Sequence, residues 1–231
     1  AVDGSCYAWL EAGGRALRVR RTAAGGAAVR LDAASVAGAA GALGPPSIDR
    51  HGWVWVVPAA PGASPAVLPA ADPRVPPVAV EQPPDGLGGR LLRVRASRDG
   101  ARLLVVAEDG GGVTRVRVHA VVRDGGGRPV RLGPGSPELA PGAGRVLDAS
   151  WLGGDRVALL VRPGAGGDPL VLLPQVLGPV QLLAPVPGGE SVAAGSGDRD
   201  VVVGTSDGRL LVRSGAGWAQ LARGRHPSYP G

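Results

Sequence analysis

The sequence predicts an all-β protein, and three features of its 231 residues indicate that class. The apolar runs are short, rich in valine and leucine and often alternating, as expected of half-buried strands. With 40 glycines and 23 prolines, the chain holds more helix-breaking residues than a helical protein tolerates, so turns must be numerous. No apolar period of 3.6 residues lasts for three turns, and Ala33 to Ala42 is the one segment in which a helical turn is plausible.

The composition argues against nucleic-acid binding and against sites that depend on several cysteines. The net charge of +6 would suit nucleic acid, but the arginines alternate with valine, as at Arg93 and Arg95, and aromatic residues make up only 3% of the chain. A solvated strand face is therefore a better interpretation than a base-stacking surface. The absence of lysine, asparagine, phenylalanine and methionine is typical of a very GC-rich genome. The single cysteine, Cys6, excludes an internal disulfide, a cysteine zinc cluster and a CxxC redox pair.

The sequence shows neither a signal peptide nor a lipobox, and we expect residues 1–231 to be a single domain from a longer protein. Uncharged stretches of about membrane-spanning length lie between Asp168 and Glu190 and between His51 and Asp72. Prolines interrupt both stretches, so each is interpreted as short strands around a turn and not as a membrane helix.

A repeat of a polar turn followed by a strand becomes visible when the turns are aligned. Its serines are separated by 50, 53 and 46 residues, close to the spacing of propeller blades at roughly 40 to 50 residues. A further copy, "DGSCYAWLEA", lies near the N-terminus with its preceding strand mostly missing. The four aligned segments are "PSIDRHGWVWVV" at 46–57, "ASRDGARLLVV" at 96–106, "SWLGGDRVALLV" at 150–161 and "GSGDRDVVVGT" at 195–205.

Each unit accommodates about four short strands. A four-stranded antiparallel sheet repeated around an axis is a propeller blade, which buries its faces only against its neighbours. The sequence thus predicts a β-propeller of four-stranded antiparallel blades, five in number with six left open; a β-sandwich with long loops is the main rival. For the third unit the expected strands are Arg90 to Ser97, Ala101 to Glu108, Val113 to Val122 and Pro129 to Leu132.

The segment Ser47-Ile48-Asp49-Arg50-His51-Gly52 could be a corner between strands or part of an active site. Aspartate or serine at the start of a tight turn accepts a backbone hydrogen bond, and glycine supplies positive φ, so this pattern is typical of a turn. A nucleophile and its base must converge on one point, which alternate residues of so short a segment seldom do. Trp53 and Trp55 then share one face of the following strand and are expected to pack between blades, with Val54 and Val56 on the opposite face.

These residues resemble a known family. The P-S-x-D-R-x-G-x-V-W corner, Pro46 to Trp55, is the most specific part of the resemblance. Together with "SRDGARLLVV", "TRVRVHAVVRD" and the terminal "HPSYPG", it is similar to the C-terminal β-propeller domain of the LpqB lipoproteins of actinobacteria, over essentially the whole chain.

The resemblance implies a non-enzymatic role outside the cytoplasmic membrane. Proteins of this family are lipid-anchored, carry a GerMN-type domain ahead of the propeller, and act with the MtrA–MtrB two-component system by contacting the extracytoplasmic part of the sensor kinase MtrB. The anchor and the GerMN-type domain lie outside this chain. The resemblance supplies no catalytic, cofactor, metal or binding residue, and the first unit keeps only the end of the fuller corner.

Two further patterns have plain interpretations. "GTSDG", Gly204 to Gly208, matches the G-x-S-x-G nucleophile elbow, but it lies between two strands and is expected to be a hairpin turn with Ser206 at its tip. The three histidines, His51, His119 and His226, fall in separate units without metal-ligand spacing.

Carboxylates of successive blades could form a glycosidase site, and Asp49, Asp99 and Asp155 are the nearest candidates, but turn formation accounts for all three.

Two function classes remain. The first is an interaction module that presents loops to a protein partner, with the proline-rich segment Ala59 to Gln82 as a stiff candidate loop and Arg123 and Arg162 as candidate rim arginines. The second is an enzyme or lectin that uses a propeller channel for a cell-wall sugar. Convergent acids with a ring of aromatics would favour the second.

Overall fold

The computed structural model describes residues 6–22, 27–37, 42–164, 166–195, 197, 200–224 and 226–227. In these residues the strands form five antiparallel sheets that follow one another along the chain. The fold class is all-β, a five-bladed β-propeller, which confirms the prediction.

The strands are assigned to blades 1 to 5 in chain order. Blade 1 holds β1 (Cys6–Leu10), β2 (Ala16–Arg21) and β3 (Val29–Asp32), with a 3-10 turn at Ala12–Gly14. Helix α1 (Ala33–Ala37) then leads to blade 2, formed by β4 (Leu43–Ile48), β5 (Trp53–Pro58), β6 (Ala66–Pro69) and β7 (Val78–Ala79). Blade 3 holds β8 (Arg90–Ala96), β9 (Arg102–Glu108), β10 (Thr114–Arg123) and β11 (Pro129–Gly135). Blade 4 holds β12 (Arg145–Leu152), β13 (Arg156–Arg162), β14 (Leu170–Pro174) and β15 (Val180–Pro185). Blade 5 holds β16 (Gly189–Ala194), β17 (Val201–Thr205), β18 (Arg209–Ser214) and β19 (Gly217–Arg223).

Each blade is a meander in which every strand pairs with the next one in sequence. The aligned polar turns join the first and second strands of blades 2 to 5, as the repeat predicts. In blade 1 the described residues give three strands, and β1 begins at Cys6, 47 residues before the second strand of blade 2 begins at Trp53. By this spacing β1 corresponds to the second strands of the other blades.

The predicted strands of the third unit agree with the observed ones to within two residues except at the end of the last. That strand continues to Gly135, where a β-carbon would come within 2.9 Å of the ring of buried His119. The helical turn predicted in the alanine-rich segment is present as the five residues of α1, and residues 38–41 lie outside the described part of the chain.

The described residues divide into two compact units. The first comprises the residues up to Gly112 together with Arg117–Gly135, and the second comprises Val113–Val116 and the residues from Ser136 onward.

The core of the first unit lies between consecutive blades. Trp55 packs with Val94 and Leu103 of blade 3, and Trp53 is partly buried against the same cluster. Val54 and Val56, on the opposite face of β5, pack with Leu17 and Val19 of blade 1. The predicted division of β5 into two packing faces is therefore confirmed.

The core of the second unit is built in the same way. Leu160 and Leu173 of blade 4 pack with Val192 and Val203 of blade 5, and Trp218 lies partly buried against this cluster. Burial of such side chains contributes about 1.5 to 3 kcal/mol each, which explains why a sheet with two apolar faces needs a neighbour on each side.

An extended segment also covers the outer edge of one blade. Glu81, in the connection between blades 2 and 3, lies beside β11 in a parallel bridge with Arg131. Its N–H donates to the carbonyl of Val130 at 3.0 Å, and its carbonyl accepts from the N–H of Leu132 at 2.9 Å. The connection thereby adds main-chain hydrogen bonds to the edge of blade 3.

The prediction that Ala59 to Gln82 is one long loop is wrong. This segment contains β6 and β7, which pair with each other and form the outer half of blade 2. Prolines are tolerated here because an edge strand leaves some of its N–H groups unpaired. The two uncharged stretches likewise form short strands, and the described residues contain no helix long and apolar enough to cross a membrane.

Candidate functional site

Asp49, at the turn between β4 and β5, is a buried carboxylate that organises the corner. Its Oδ1 accepts from the N–H groups of His51 at 2.9 Å and Trp53 at 3.1 Å. Its Oδ2 accepts from the indole Nε1 of Trp55 at 3.1 Å and from the guanidinium of Arg123 at 2.7 Å. The carboxylate is therefore used to hold the turn, the strand after it and a residue of the next blade.

Arg123, at the end of β10, holds three turns together with one guanidinium. Besides Asp49 of blade 2, it donates to the carbonyl of Gly100 at 2.7 Å and to that of Gly127 at 2.8 Å. Its side chain is only 14% exposed and that of Asp49 is 0% exposed. The prediction that Arg123 lies on the rim is thus wrong, because the buried carboxylate draws it inward, whereas Arg162 is exposed.

The three turns fixed by Arg123 carry a charged surface, which we call the corner surface. It consists of the exposed side chains of Arg50, His51, Arg98, Asp99 and Arg128. The imidazole of His51 lies over Gly100, where an added β-carbon would come within 2.8 Å of its Cδ2. Asp124 pairs with Arg128 at 3.1 Å. The hydrogen bonds of Asp49 and Arg123 therefore fix the main chain of the turns that carry this surface.

Serines at equivalent positions join consecutive blades. Ser47 accepts from the N–H of Ala96 at 3.0 Å, so β4 is tied to β8. In the second unit, Ser150 accepts from the N–H of Ala194 at 3.1 Å, which ties β12 to β16. The serine hydroxyl of the predicted corner is therefore a hydrogen-bond acceptor for the main chain of the next blade.

A buried aspartate strengthens the junction between blades 4 and 5. Asp148 accepts from the N–H of Val192 at 3.0 Å and from the N–H of Ala149 at 2.8 Å. Hydrogen bonds to charged groups contribute about 1.5 to 3 kcal/mol, more than those between neutral groups.

Asp99 shows the same turn chemistry at the surface of blade 3. It accepts from the N–H of Ala101 at 3.0 Å and from the hydroxyl of Ser97. Partial burial opposes its ionisation, but the Ser97 hydroxyl, the Ala101 N–H and the charge of Arg102 outweigh it and hold the pKa of Asp99 below its ordinary value. Asp155 accepts from the side-chain amide of Gln175 at 2.6 Å. Each of the three candidate glycosidase acids is thus engaged within its own turn or junction.

The G-x-S-x-G segment is a hairpin turn, as predicted. It joins β17 to β18, the N–H of Gly208 donates to the carbonyl of Thr205 at 3.0 Å, and Gly208 has a φ of +78°. Ser206 is exposed at the tip, and its N–H donates to the carbonyl of Gly188 at 2.8 Å. A strand-to-strand turn of this kind does not provide the strand-to-helix geometry of a nucleophile elbow.

The histidines differ in their surroundings, and the described residues contain no group of three potential metal ligands. His51 and His226 are exposed, whereas His119 on β10 is 1% exposed. The Nδ1 of His119 lies 3.0 Å from the carbonyl of Gly133, and its Nε2 is buried without a hydrogen-bond partner. Burial lowers the pKa of His119, so the neutral ring donates through Nδ1.

Two glycines, Gly89 and Gly144, directly precede the first strands of blades 3 and 4. Gly89 has a φ of +136° and Gly144 a φ of +112°. A β-carbon at Gly89 would overlap the main-chain carbonyl oxygen of Glu108, and one at Gly144 would overlap that of Arg162. In the sequence, each of these two glycines is followed directly by the arginine that begins the first strand of its blade, Arg90 or Arg145.

A cleft of about 610 Å³ lies at the end of blade 3 away from its first polar turn. Its lining includes Asp85, Gly88 and Asp109, and the ion pair between Arg90 and Glu108 forms part of its wall.

The chain is similar in sequence and in fold to known proteins. A family model for the lipoprotein LpqB beta-propeller domain matches residues 1–230. The lipoprotein LpqB of Streptomyces coelicolor is 31% identical over 206 residues, which cover 82% of this chain and 31% of that protein. This chain therefore corresponds to less than a third of its curated relative. TolB from Acinetobacter baumannii has a similar fold, with a TM-score of 0.60 at 19% identity over 98% of this chain and 55% of that one.

Proposed function

The chain belongs to the LpqB β-propeller family, and from this premise we propose that it is a non-enzymatic interaction module of an LpqB-like lipoprotein. In this proposal the module is held outside the cytoplasmic membrane by a lipid anchor elsewhere in the protein. Its partner is the extracytoplasmic domain of the sensor kinase MtrB, so that it acts as an accessory of the MtrA–MtrB two-component system. The observation that carries the proposal is the family match over residues 1–230.

The corner surface supports this role and is the face that we assign to the partner. The buried pair of Asp49 and Arg123 holds the main chain of the turns that carry these exposed side chains. A surface that is rigid before binding loses little conformational entropy on docking. Arg50, Arg98 and Arg128 outnumber Asp99 and Asp124 here, which favours an acidic partner surface.

The test is a binding measurement between this chain and the extracytoplasmic domain of MtrB. We expect a complex with a Kd of tens of micromolar or tighter. Reversing two corner charges, as Arg50→Glu with Arg98→Glu, should weaken it about tenfold or more, since like charges would then face the partner. Arg162→Glu, which reverses the charge of another exposed arginine in blade 4, is the control and should leave the Kd unchanged.

Two outcomes would overturn this proposal. Absence of a complex at tens of micromolar, together with measurable turnover or binding of cell-wall glycan, would favour the sugar-directed alternative. A complex that Arg162→Glu weakens as much as the double reversal would leave the proposed role but reject the corner surface as its face.

A further inference from the structure

The outer strand of blade 4, β15, carries exposed apolar side chains along its edge. Strand β15 pairs with β14 on one side, and no other strand of the described residues pairs with its other side. Leu177, in the hairpin before it, is 84% exposed, and Val180 and Leu182 are 47% and 64% exposed. Large apolar side chains on an open strand edge are unusual because such edges invite pairing with another chain.

The register of the β14–β15 hairpin shows which backbone groups face outward. The N–H of Gln175 donates to the carbonyl of Pro179 at 3.1 Å, so these two residues form a hydrogen-bonded pair. Opposed residues in an antiparallel ladder alternate between bonded and non-bonded pairs. Val180, opposite Pro174, and Leu182, opposite Leu172, are therefore non-bonded, and their N–H and C=O groups point away from β14.

The same two residues thus present both exposed apolar side chains and outward main-chain groups. The free edge ends at Ala184, whose carbonyl accepts from the indole Nε1 of Trp218 at 3.0 Å. A cavity of about 360 Å³, lined in part by Val180, Gln181 and Arg156, lies beside the strand.

The edge also lacks the usual protection by charge. No charged residue occurs from Pro169 to Gly189, although charged residues make up 19% of the chain. Strand edges are commonly blocked by charged side chains such as lysine, and β15 carries none. A charged segment laid along this edge would lose hydration without gaining a countercharge, so the edge favours an uncharged one.

The molecule itself shows how such an edge is covered. At blade 3, the Glu81 segment lies along β11 and makes two main-chain hydrogen bonds with it. The connection between blades 4 and 5 is only Val186 to Gly188, too short to cover an edge in this way.

From this edge we infer that β15 is a strand-addition site for an extended, uncharged, valine- or leucine-rich segment of a partner protein, which becomes a fifth strand of blade 4. Main-chain hydrogen bonds to Val180 and Leu182 give affinity, and the apolar side chains select the segment. The inference rests on the proposed role as an interaction module and adds the chemistry of one segment that it binds.

The experiment uses the whole chain and the fluorescein-labelled peptide Thr-Val-Thr-Leu-Thr-Val-Thr as probe, with Thr-Glu-Thr-Lys-Thr-Glu-Thr as the charged control. We expect the apolar peptide to bind and to slow amide exchange at Val180 and Leu182. Leu182→Lys, which adds charge to the edge, should weaken binding about tenfold or more. Val180→Pro should do the same by removing an outward N–H without breaking a bond to β14.

Gln181→Lys is the matched control, because it adds the same charge to the opposite face of the same strand and should leave binding unchanged. The inference is wrong if the charged peptide binds as tightly as the apolar one, or if Leu182→Lys and Val180→Pro bind like the wild type. It is also wrong if the wild type self-associates through this edge and Leu182→Lys abolishes the self-association, since the occupant is then a second copy of the chain.

Peptide binding without an MtrB complex would reject the proposed partner alone, and an MtrB complex without peptide binding would reject the strand-addition site alone.

Discussion

Arg123 in blade 3 pairs with Asp49 in blade 2 across 74 residues of sequence, at 2.7 Å and almost out of contact with solvent. The pair joins two blades whose apolar cluster around Trp55 lies between them. Removing one member of a buried ion pair leaves the other charge without a partner, which costs more than the pair itself contributes. The junction between blades 2 and 3 should therefore be sensitive to either single substitution.

Asp49→Ala should lower the free energy of unfolding by about 3 kcal/mol or more, because Arg123 would remain buried without its carboxylate. Urea unfolding followed by tryptophan fluorescence would measure the change. Asp99→Ala, which alters an exposed turn carboxylate of blade 3, is the control and should cost about 1 kcal/mol or less. Equal losses for the two variants would contradict the importance given to the buried pair.

Ser47→Ala and Ser150→Ala should each destabilise the protein by about 1 kcal/mol, because each leaves a backbone N–H of the following blade without its acceptor. The exposed Ser214→Ala serves as the comparison and should change the urea midpoint little. If neither corner substitution differs from Ser214→Ala, the hydroxyls do not tie the blades together.

Stability should decline in mild acid because of His119. Burial lowers the pKa of His119 in the folded chain, while Asp85 acts to raise it and Arg117 to lower it. Below the unfolded value of about 6.5, the unfolded chain takes up a proton that the folded chain does not, and stability falls by up to about 1.4 kcal/mol per pH unit. Above that value the contribution is fully present.

Urea midpoints at about pH 7.5 and about pH 5.5, on either side of the ordinary histidine pKa, would measure this loss. His119→Gln should reduce the difference between the two midpoints, whereas His51→Gln, at an exposed histidine, should preserve it. A difference that survives His119→Gln unchanged would assign the acid sensitivity to other groups.

Gly89→Ala and Gly144→Ala should each destabilise by about 2 kcal/mol or more. Each combines a left-handed φ with a β-carbon that would overlap a main-chain carbonyl, which a side-chain rotation cannot relieve. Gly110→Ala, whose β-carbon would meet no atom within 4 Å, is the control and should have little effect. Thermal unfolding of the three variants would separate the two outcomes.

Features with a local cause were predictable from the sequence. The turn role of Asp49 and the two faces of β5 follow from turn chemistry and the period of two along a strand. The bounds of β8 and β9 follow from the glycine- and aspartate-containing turns beside them. The family resemblance likewise depends on a contiguous corner, Pro46 to Trp55, and the family match confirms it.

Features that depend on distant residues were not predictable. Arg123 was expected at the rim because no residue near it in the sequence indicates that it pairs with Asp49 of another blade. The length of Ala59 to Gln82 and its prolines suggested a loop, but pairing of β6 with β5 and β7 overrides that local signal. At Gly89 and Gly144 a β-carbon is excluded by main-chain carbonyls at the end of the second strand of the same blade. In a chain with 40 glycines, the sequence does not distinguish these two positions from the others.

The bridge from Glu81 to β11 has a consequence for biosynthesis. Glu81 precedes its partner Arg131 by 50 residues, so the covering strand has already left the ribosome when β11 emerges. The segment that caps the edge of blade 3 is therefore already available when that edge forms, which favours capping over recruitment of a neighbouring nascent chain into an aggregate.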